Sequence, residues 1–130
     1  MQRLLVFILL GSLLSCGGSA KLRECNFLSA KTPQEHAQGL MHRRTLDNYD
    51  GMVFIYDRAE PRQFWNMNTH LDLILYWFRE GRLIGVSELK PIETHGLMIV
   101  SSPGATDLVV ELVRGRRCKF MGIELGSTEF

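Results

Sequence analysis

The stretch Leu71–Phe78, LDLILYWF, constrains the fold more than any other part of the chain. Apart from Asp72, both its odd and its even positions are apolar, so a strand formed by it has two faces to bury. Such a strand lies inside a sheet and is covered above and below. The turn-forming segment Arg79–Arg82 follows, and Leu83–Leu89 is predicted to return as its hairpin partner.

Further short apolar runs, bounded by Gly, Pro, Asn and Asp, predict additional strands. These runs are Cys25–Leu28, Met52–Tyr56, Gln63–Trp65, Leu97–Val100 and Leu108–Val113. Strands spaced by turn signals are typical of small all-β domains. The predicted fold class is therefore mainly β, a small sandwich or barrel-like single domain with one short N-terminal α-helix.

The helix is predicted from a capping signal. Thr32 can cap the first turn, Pro33 suits the first helical position, and Glu35 completes a capping box. Helical spacing predicts an inward face formed by Ala37, Leu40 and Met41.

The first fifteen residues are typical of an export signal. Arg3 gives a positive start, and the apolar run Leu4–Leu14 is too short to span a bilayer comfortably. Ser15 and Cys16 resemble the end of a bacterial lipoprotein signal, which implies cleavage before Cys16 and lipid on its thiol. An ordinary cleaved signal or a simple membrane anchor is the alternative.

This gives a cleaved signal peptide over residues 1–15, a flexible tether over 16–24 and one domain over 25–130. The mature protein is expected in the bacterial cell envelope, held to the membrane through lipid on Cys16. Gly17 after the cysteine resembles an outer-membrane sorting signal, which implies an outer membrane location facing the periplasm in a diderm bacterium.

Charge argues against a nucleic-acid partner. Loss of residues 1–15 removes one basic and no acidic side chain, which leaves 14 of each. The basic cluster Arg114–Lys119 is short and lacks an array of aromatic stacking residues. A solvated face is the simple interpretation, and contact with anionic headgroups is the alternative.

Two cysteines remain if Cys16 carries lipid. In an oxidising compartment, Cys25 and Cys118 can form a disulfide that ties the N-terminal arm to the C-terminal segment. Two free thiols are the alternative, because sequence alone does not place the two α-carbons within bonding range.

The motifs of common enzymes are missing. The chain has no phosphate loop, dinucleotide fingerprint or nucleophile elbow. Its four histidines show no paired metal spacing, and its cysteines no Cys-x-x-Cys spacing. No metal, cofactor or catalytic residue is therefore assigned, and a non-enzyme is favoured, although a catalytic triad can assemble from distant positions.

Several motifs, in order along the chain, resemble those of the DUF192 family. They are Gln38–Arg43, Gly51–Phe54, Phe64–Thr69, Leu71–Leu73, Ser102–Gly104, Val110–Leu112 and Gly122–Gly126. The resemblance implies a small, mostly β domain, often exported, and no particular reaction. This chain departs from the family pattern at three places. Asn66 and Met67 stand where Met-Lys is usual, and the connection from there to Leu71 is two residues shorter. Ser127 stands where an acid is usual.

The polar residues around the Asn66–Thr69 segment, hereafter the corner, suggest two interpretations. In one, Asn and Thr side chains hold an irregular turn, and Asp72 is a buried acceptor paired with Arg43 or with backbone donors. In the other, the corner belongs to an aromatic-walled pocket where Arg43 fixes a small anionic or sugar-like ligand. The candidate binding residues are Arg43, Trp65, Asn66, Asn68, Thr69 and Asp72.

These features favour an envelope lipoprotein that acts as a small binding or accessory module. The alternatives are a small hydrolase-like enzyme that uses Asp72 as a base, and a structural or protein-interaction domain.

Overall fold

The computed structural model describes residues 20–127, which form nine strands and two short helices. In chain order these are β1 Phe27–Ala30, α1 Pro33–Gln38, β2 Gly51–Glu60, β3 Gln63–Trp65, β4 Leu73–Arg79, β5 Arg82–Leu89, α2 Ile92–His95, β6 Ile99–Ser101, β7 Thr106–Val113, β8 Cys118–Phe120 and β9 Ile123–Leu125. The predicted signal peptide, Cys16 and the first part of the tether lie outside the described residues.

The central element is a five-stranded sheet with the order β1-β2-β7-β4-β5. β1 runs parallel to β2, and the other pairs are antiparallel. Two ribbons, β3–β6 and β8–β9, accompany this sheet. The prediction of a mainly β fold is confirmed. A closed barrel is wrong for the described residues, because β1 and β5 remain as separate edges of an open sheet.

Strand β4 has the two buried faces that its sequence predicts. Six of its seven residues are buried, and it lies between β7 and β5. Leu73, Leu75 and Trp77 point to one face, here called the front face. Full burial of each such side chain contributes about 1.5–3 kcal/mol to stability. The Trp77 indole N–H also donates to the Ser87 hydroxyl at 2.9 Å, so its polar atom is satisfied.

The two faces of the sheet are covered differently. The front face packs against the segment after α1, including Leu40 and Leu46, and against the β3–β6 ribbon through Phe64. The opposite, back face packs against β8 and β9 through Cys118 and Leu125. A cleft forms on the front face.

Helix α1 is shorter than the sequence suggests. Its capping box is present: the Thr32 hydroxyl accepts from the Glu35 N–H at 3.2 Å, and the Glu35 carboxylate accepts from the Thr32 N–H at 2.9 Å. The helix ends at Gln38, because Gly39 adopts φ 47° and leaves the helical conformation. None of the residues Pro33–Gln38 is buried. The predicted inward face was therefore wrong, and Leu40 reaches the core from the loop instead.

The structure also has a second helix, which the sequence did not predict. Residues Ile92–His95 form a single helical turn whose N-cap, Pro91, makes no side-chain capping bond. A turn of four residues is too short to show helical periodicity in the sequence.

The N-terminal arm is fixed to the domain before the predicted boundary. Arg23 binds the fully buried Asp50 carboxylate through two bonds of 2.7 and 2.6 Å, and Glu24 forms a parallel bridge with Lys119. Hydrogen bonding from Arg23 lowers the pKa of Asp50. Next to this contact, Cys25 and Cys118 form a disulfide with α-carbons 4.9 Å apart. Of the two alternatives left by the sequence, the structure has the bridge.

Candidate functional site

The corner is held by one buried amide. Asn66 is fully buried, and its side-chain nitrogen donates to the carbonyl oxygens of Lys90 at 2.9 Å and Gly96 at 2.7 Å. Its side-chain oxygen accepts from the Met98 N–H at 2.7 Å. The amide thus uses its donors and its acceptor to join the end of β3 to the segment that contains α2.

The next residues complete the turn. Asn68 adopts φ 52°, a conformation that Asn tolerates better than most residues, and its carbonyl accepts from the His42 N–H at 2.8 Å. The Thr69 N–H donates to the Asn66 carbonyl at 3.0 Å, and the Thr69 hydroxyl to the Met67 carbonyl at 3.2 Å. These contacts agree with the structural interpretation of the corner.

Asp72 does not lie within the covered strand, as the sequence suggested. It precedes β4, and its side chain is 36% exposed. Its partners are Arg114 at 3.2 Å and Lys90 at 3.5 Å, and both cations also bind Glu88.

Arg43 is not the partner of Asp72. Within residues 20–127 no ion pair joins the two, and Arg43 lines a small hollow beside Gly39 and Met52. The pairing prediction failed because it depended on which distant segments come together. Lys90 and Arg114, which follow β5 and β7, are carried to Asp72 by the sheet.

A cleft of about 330 Å³ opens on the front face, between α1 and the start of β3. Its aromatic lining comprises Phe54, Tyr56, Phe64, Trp65 and the imidazole of His36. Phe54 and Phe64 meet edge to face with centroids 4.9 Å apart, and His36 lies 4.2 Å from the Tyr56 ring. Trp65 stands at this cleft with 46% of its surface exposed. Of the candidate residues from the sequence, only Trp65 and Thr69 line it.

Glu111 is the residue that sequence reasoning missed. It lies on β7, paired with Met52 of β2 and Leu75 of β4, and it is only 4% exposed. Its side chain lines the cleft, and its Oε2 atom has no hydrogen-bond partner among the described residues. Burial raises the pKa of Glu111 to about 8. The signal was present in the sequence, since Glu111 is a lone acid inside the apolar run Leu108–Val113.

The backbone next to Glu111 admits no side chain on the neighbouring strand. A Cβ atom at Gly51 would lie 1.8 Å from the Glu111 carbonyl oxygen. Glycine at this position lets β2 approach β7 closely. In the sheet β7 lies between β2 and β4, so Glu111 is not on an edge strand.

Tyr56 forms a rigid wall of the cleft. The Arg62 guanidinium lies 3.4 Å from the centroid of its ring, and Arg62 is itself held by the carbonyls of Thr106 and Arg58. Burial raises the pKa of the Tyr56 hydroxyl to about 12, so it stays protonated at neutral pH. Tyr56 is therefore an uncharged ring held in place by Arg62.

The family model for DUF192, described as "Uncharacterized ACR", matches residues 18–128. The chain belongs to the DUF192 family. No curated protein matches it.

Two solved structures are similar to this DUF192 chain. One is a protein of unknown function from Novosphingobium aromaticivorans DSM 12444, with a TM-score of 0.58 and 27% identity, covering 67% of this chain and 61% of the other. The second is a proposed transcription regulator from Sinorhizobium meliloti 1021, with the same TM-score and identity and 67% coverage of each chain. The chain thus spans about 61% of the length of the first.

Two further observations describe this DUF192 domain. Between residues 20 and 127, no three His, Cys, Asp or Glu side chains come together as metal ligands would. Neither α1 nor α2 has the length and apolar character that crossing a membrane requires.

The corner of the DUF192 domain can be tested with Asn66→Ala. The substitution removes the side-chain partner of two carbonyls and one N–H that are partly buried, so we expect a loss of about 2–4 kcal/mol in the free energy of unfolding. Urea denaturation measures it. Asp72→Asn is the matched control, and its loss should stay within about 1 kcal/mol because its ion pairs are partly exposed. Equal losses in the two variants would contradict this account of the corner.

Proposed function

We propose that this DUF192 protein is a lipid-anchored envelope module that binds a small ligand in the front-face cleft. The observation that carries the proposal is the buried, incompletely bonded carboxyl of Glu111 at a cleft lined by aromatic rings. Apolar concave sites with a few polar groups are the usual form of small-molecule sites.

Glu111 has no evident structural purpose. A buried polar group without a partner costs stability, and the neighbouring positions Val109 and Val113 on the same face are apolar. An aliphatic residue would fill this position at lower cost. A group that costs stability and faces a cavity is better explained by binding than by packing.

The alternatives receive less support. Asp72, the proposed base of a hydrolase-like enzyme, is occupied by Arg114 and Lys90 and does not line the cleft. Exposed apolar side chains at Trp65, Leu97 and Ile99 could suit a protein partner. The concave cleft beside Trp65 favours a small ligand instead.

The corner contributes to this proposal indirectly. Asn66 and Asn68 fix the turn that directly follows Trp65, and Thr69 itself lines the cleft. These residues therefore position the wall of the cleft, and Asp72 and Arg43 lie outside its lining.

The binding proposal is tested with tryptophan fluorescence. Trp77 is fully buried whereas Trp65 lies at the cleft, so a bound ligand should change the emission of Trp65. A panel of monosaccharides, amino acids, amines, nucleosides and short fatty acids is titrated into the protein. At least one class should change the emission and raise the melting temperature.

Blocking the cleft supplies the control. Ala37 is exposed and lines the cleft, so Ala37→Trp should fill it and abolish binding. Gln34→Trp, on the same helix but outside the lining, should bind as the wild type does. A panel with no binder, or binding that survives Ala37→Trp, would refute the proposal.

The anchor is tested separately. Cleavage before Cys16 with lipid on its thiol should make the protein partition with membranes, since acyl chains supply the binding energy. Cys16→Ser should release the domain or leave it unprocessed. Mass spectrometry of the N-terminal peptide decides, and a wild-type peptide without lipid would contradict the prediction.

A further inference from the structure

The charges around the cleft restrict its ligand. Among the described residues of its lining, Glu111 is the only Asp or Glu, and none is Lys or Arg. His36 is the one histidine, and its Nε2 atom faces the carbonyl oxygens of Ala30 at 3.0 Å and Ile55 at 2.9 Å. An anionic ligand would meet a carboxyl, and no Lys or Arg of the lining could pair with it.

We propose that the cleft binds a small organic cation, an ammonium group on an apolar body, with the ammonium against Glu111 and the body between the aromatic rings. This inference rests on the proposed function and specifies the chemistry of the ligand.

The first argument is the missing partner of Glu111. Buried carboxylates are normally paired with a cation or with several hydrogen-bond donors, and Oε2 of Glu111 has neither among the described residues. An ammonium ion in the cleft would supply both the opposite charge and the donors.

The second argument is the walls. Aromatic faces attract cations through the ring quadrupole, and cages of aromatic side chains are used to recognise ammonium ligands. Phe64 and Trp65 belong to the lining, and the Trp65 indole is half exposed. Arg62 already covers the Tyr56 ring, which shows a cation held by an aromatic face beside this cleft.

Binding has a defined proton balance. In the empty cleft the Glu111 carboxyl retains its proton, because burial penalises its charged form. The arriving ammonium stabilises the carboxylate, so the carboxyl proton leaves to solvent and the ammonium keeps its own protons. A neutral ligand that accepts a hydrogen bond from the carboxyl would release no proton.

Three probes of similar size distinguish these cases: 2-phenylethylamine, 2-phenylethanol and phenylacetate. Each is titrated into the wild-type domain by calorimetry at neutral pH, in two buffers of different ionisation enthalpy. We expect the amine to bind at least about tenfold more tightly than the alcohol, and phenylacetate not to bind. Binding of the amine should release close to one proton.

Glu111→Gln keeps the shape and removes the acid. Its affinity for the amine should fall about tenfold, to that of the alcohol, and proton release should disappear. Affinity for the alcohol should be retained, which shows that the variant is folded. Glu60→Gln, at a half-exposed side chain, is the matched control and should behave as the wild type does.

The outcomes separate this inference from the proposed function. If the alcohol binds as tightly as the amine and Ala37→Trp blocks both, the inference that the ligand is a cation is wrong. The cleft then remains a binding site. A preference for the amine that persists in Glu111→Gln also overturns it. If none of the probes binds, the cation inference fails, and the panel titration alone then decides whether the cleft binds anything.

Discussion

Glu111→Gln is expected to remove most of the pH dependence of stability between about pH 4.5 and pH 8. Burial raises the pKa of Glu111 from its usual value of 4.5 to about 8. Between these two values the folded state holds a proton that the unfolded state has lost, so folding becomes less favourable as the pH rises. The penalty is absent below the unfolded pKa, grows through this window and is constant above the folded pKa. Its full size is roughly 5 kcal/mol.

Urea unfolding at several pH values measures this effect. The wild type should lose stability as the pH rises through the window, whereas Glu111→Gln should stay nearly flat because an amide does not titrate. Other titrating groups are common to both proteins and cancel in the difference. Glu60→Gln should keep the wild-type slope. Parallel curves for wild type and Glu111→Gln would show that the carboxyl is not buried as described.

Loss of the disulfide is expected to cost about 4–5 kcal/mol. The bridge between Cys25 and Cys118 spans 93 residues, and closing a loop of about 100 residues removes that much chain entropy from the unfolded state. The double variant Cys25→Ala with Cys118→Ala should therefore unfold at lower urea. It should keep its fold, because both faces of β4 have an apolar core.

Peptide mapping without reductant is the direct check. The oxidised protein should yield one linked peptide that contains both cysteines, and a reductant should lower its stability to that of the double variant. Two thiols that alkylate readily in the native protein would exclude the bridge. A reductant should leave the double variant unchanged, which controls for other effects of the reagent.

The parts of the fold that the sequence predicted correctly depend on neighbours along the chain. Both faces of β4 are apolar in the sequence itself, so its burial follows from composition. The capping box at Thr32 and Glu35 spans three residues, and the turn at Asn68 needs only a residue that tolerates positive φ. Each of these signals is local.

The candidate site was predicted less well, because its signals are not local. Asp72 and Glu111 are both lone acids beside apolar residues, and nothing nearby in the sequence separates them. Their positions relative to the strands distinguish them. Asp72 precedes β4 and lies at the surface, whereas Glu111 lies within β7, which pairs with β2 and β4. The partners of Asp72 and the lining of the cleft likewise come from segments far apart in the chain. Only a known strand order would have assigned them.

The disulfide also decides how the domain responds to force. A pull between residue 20 and residue 127 reaches Cys25 and passes through the disulfide to Cys118, so the covalent load path omits the backbone between the two cysteines. Only residues 20–24 and 119–127 lie outside the loop that the bridge closes, and together they can span at most about 48 Å at ~3.4 Å per residue. The sheet and its cleft are mechanically bypassed. If the proposed lipid anchor holds the N-terminal arm to a membrane, tension along the backbone would bypass the cleft until the bridge is reduced.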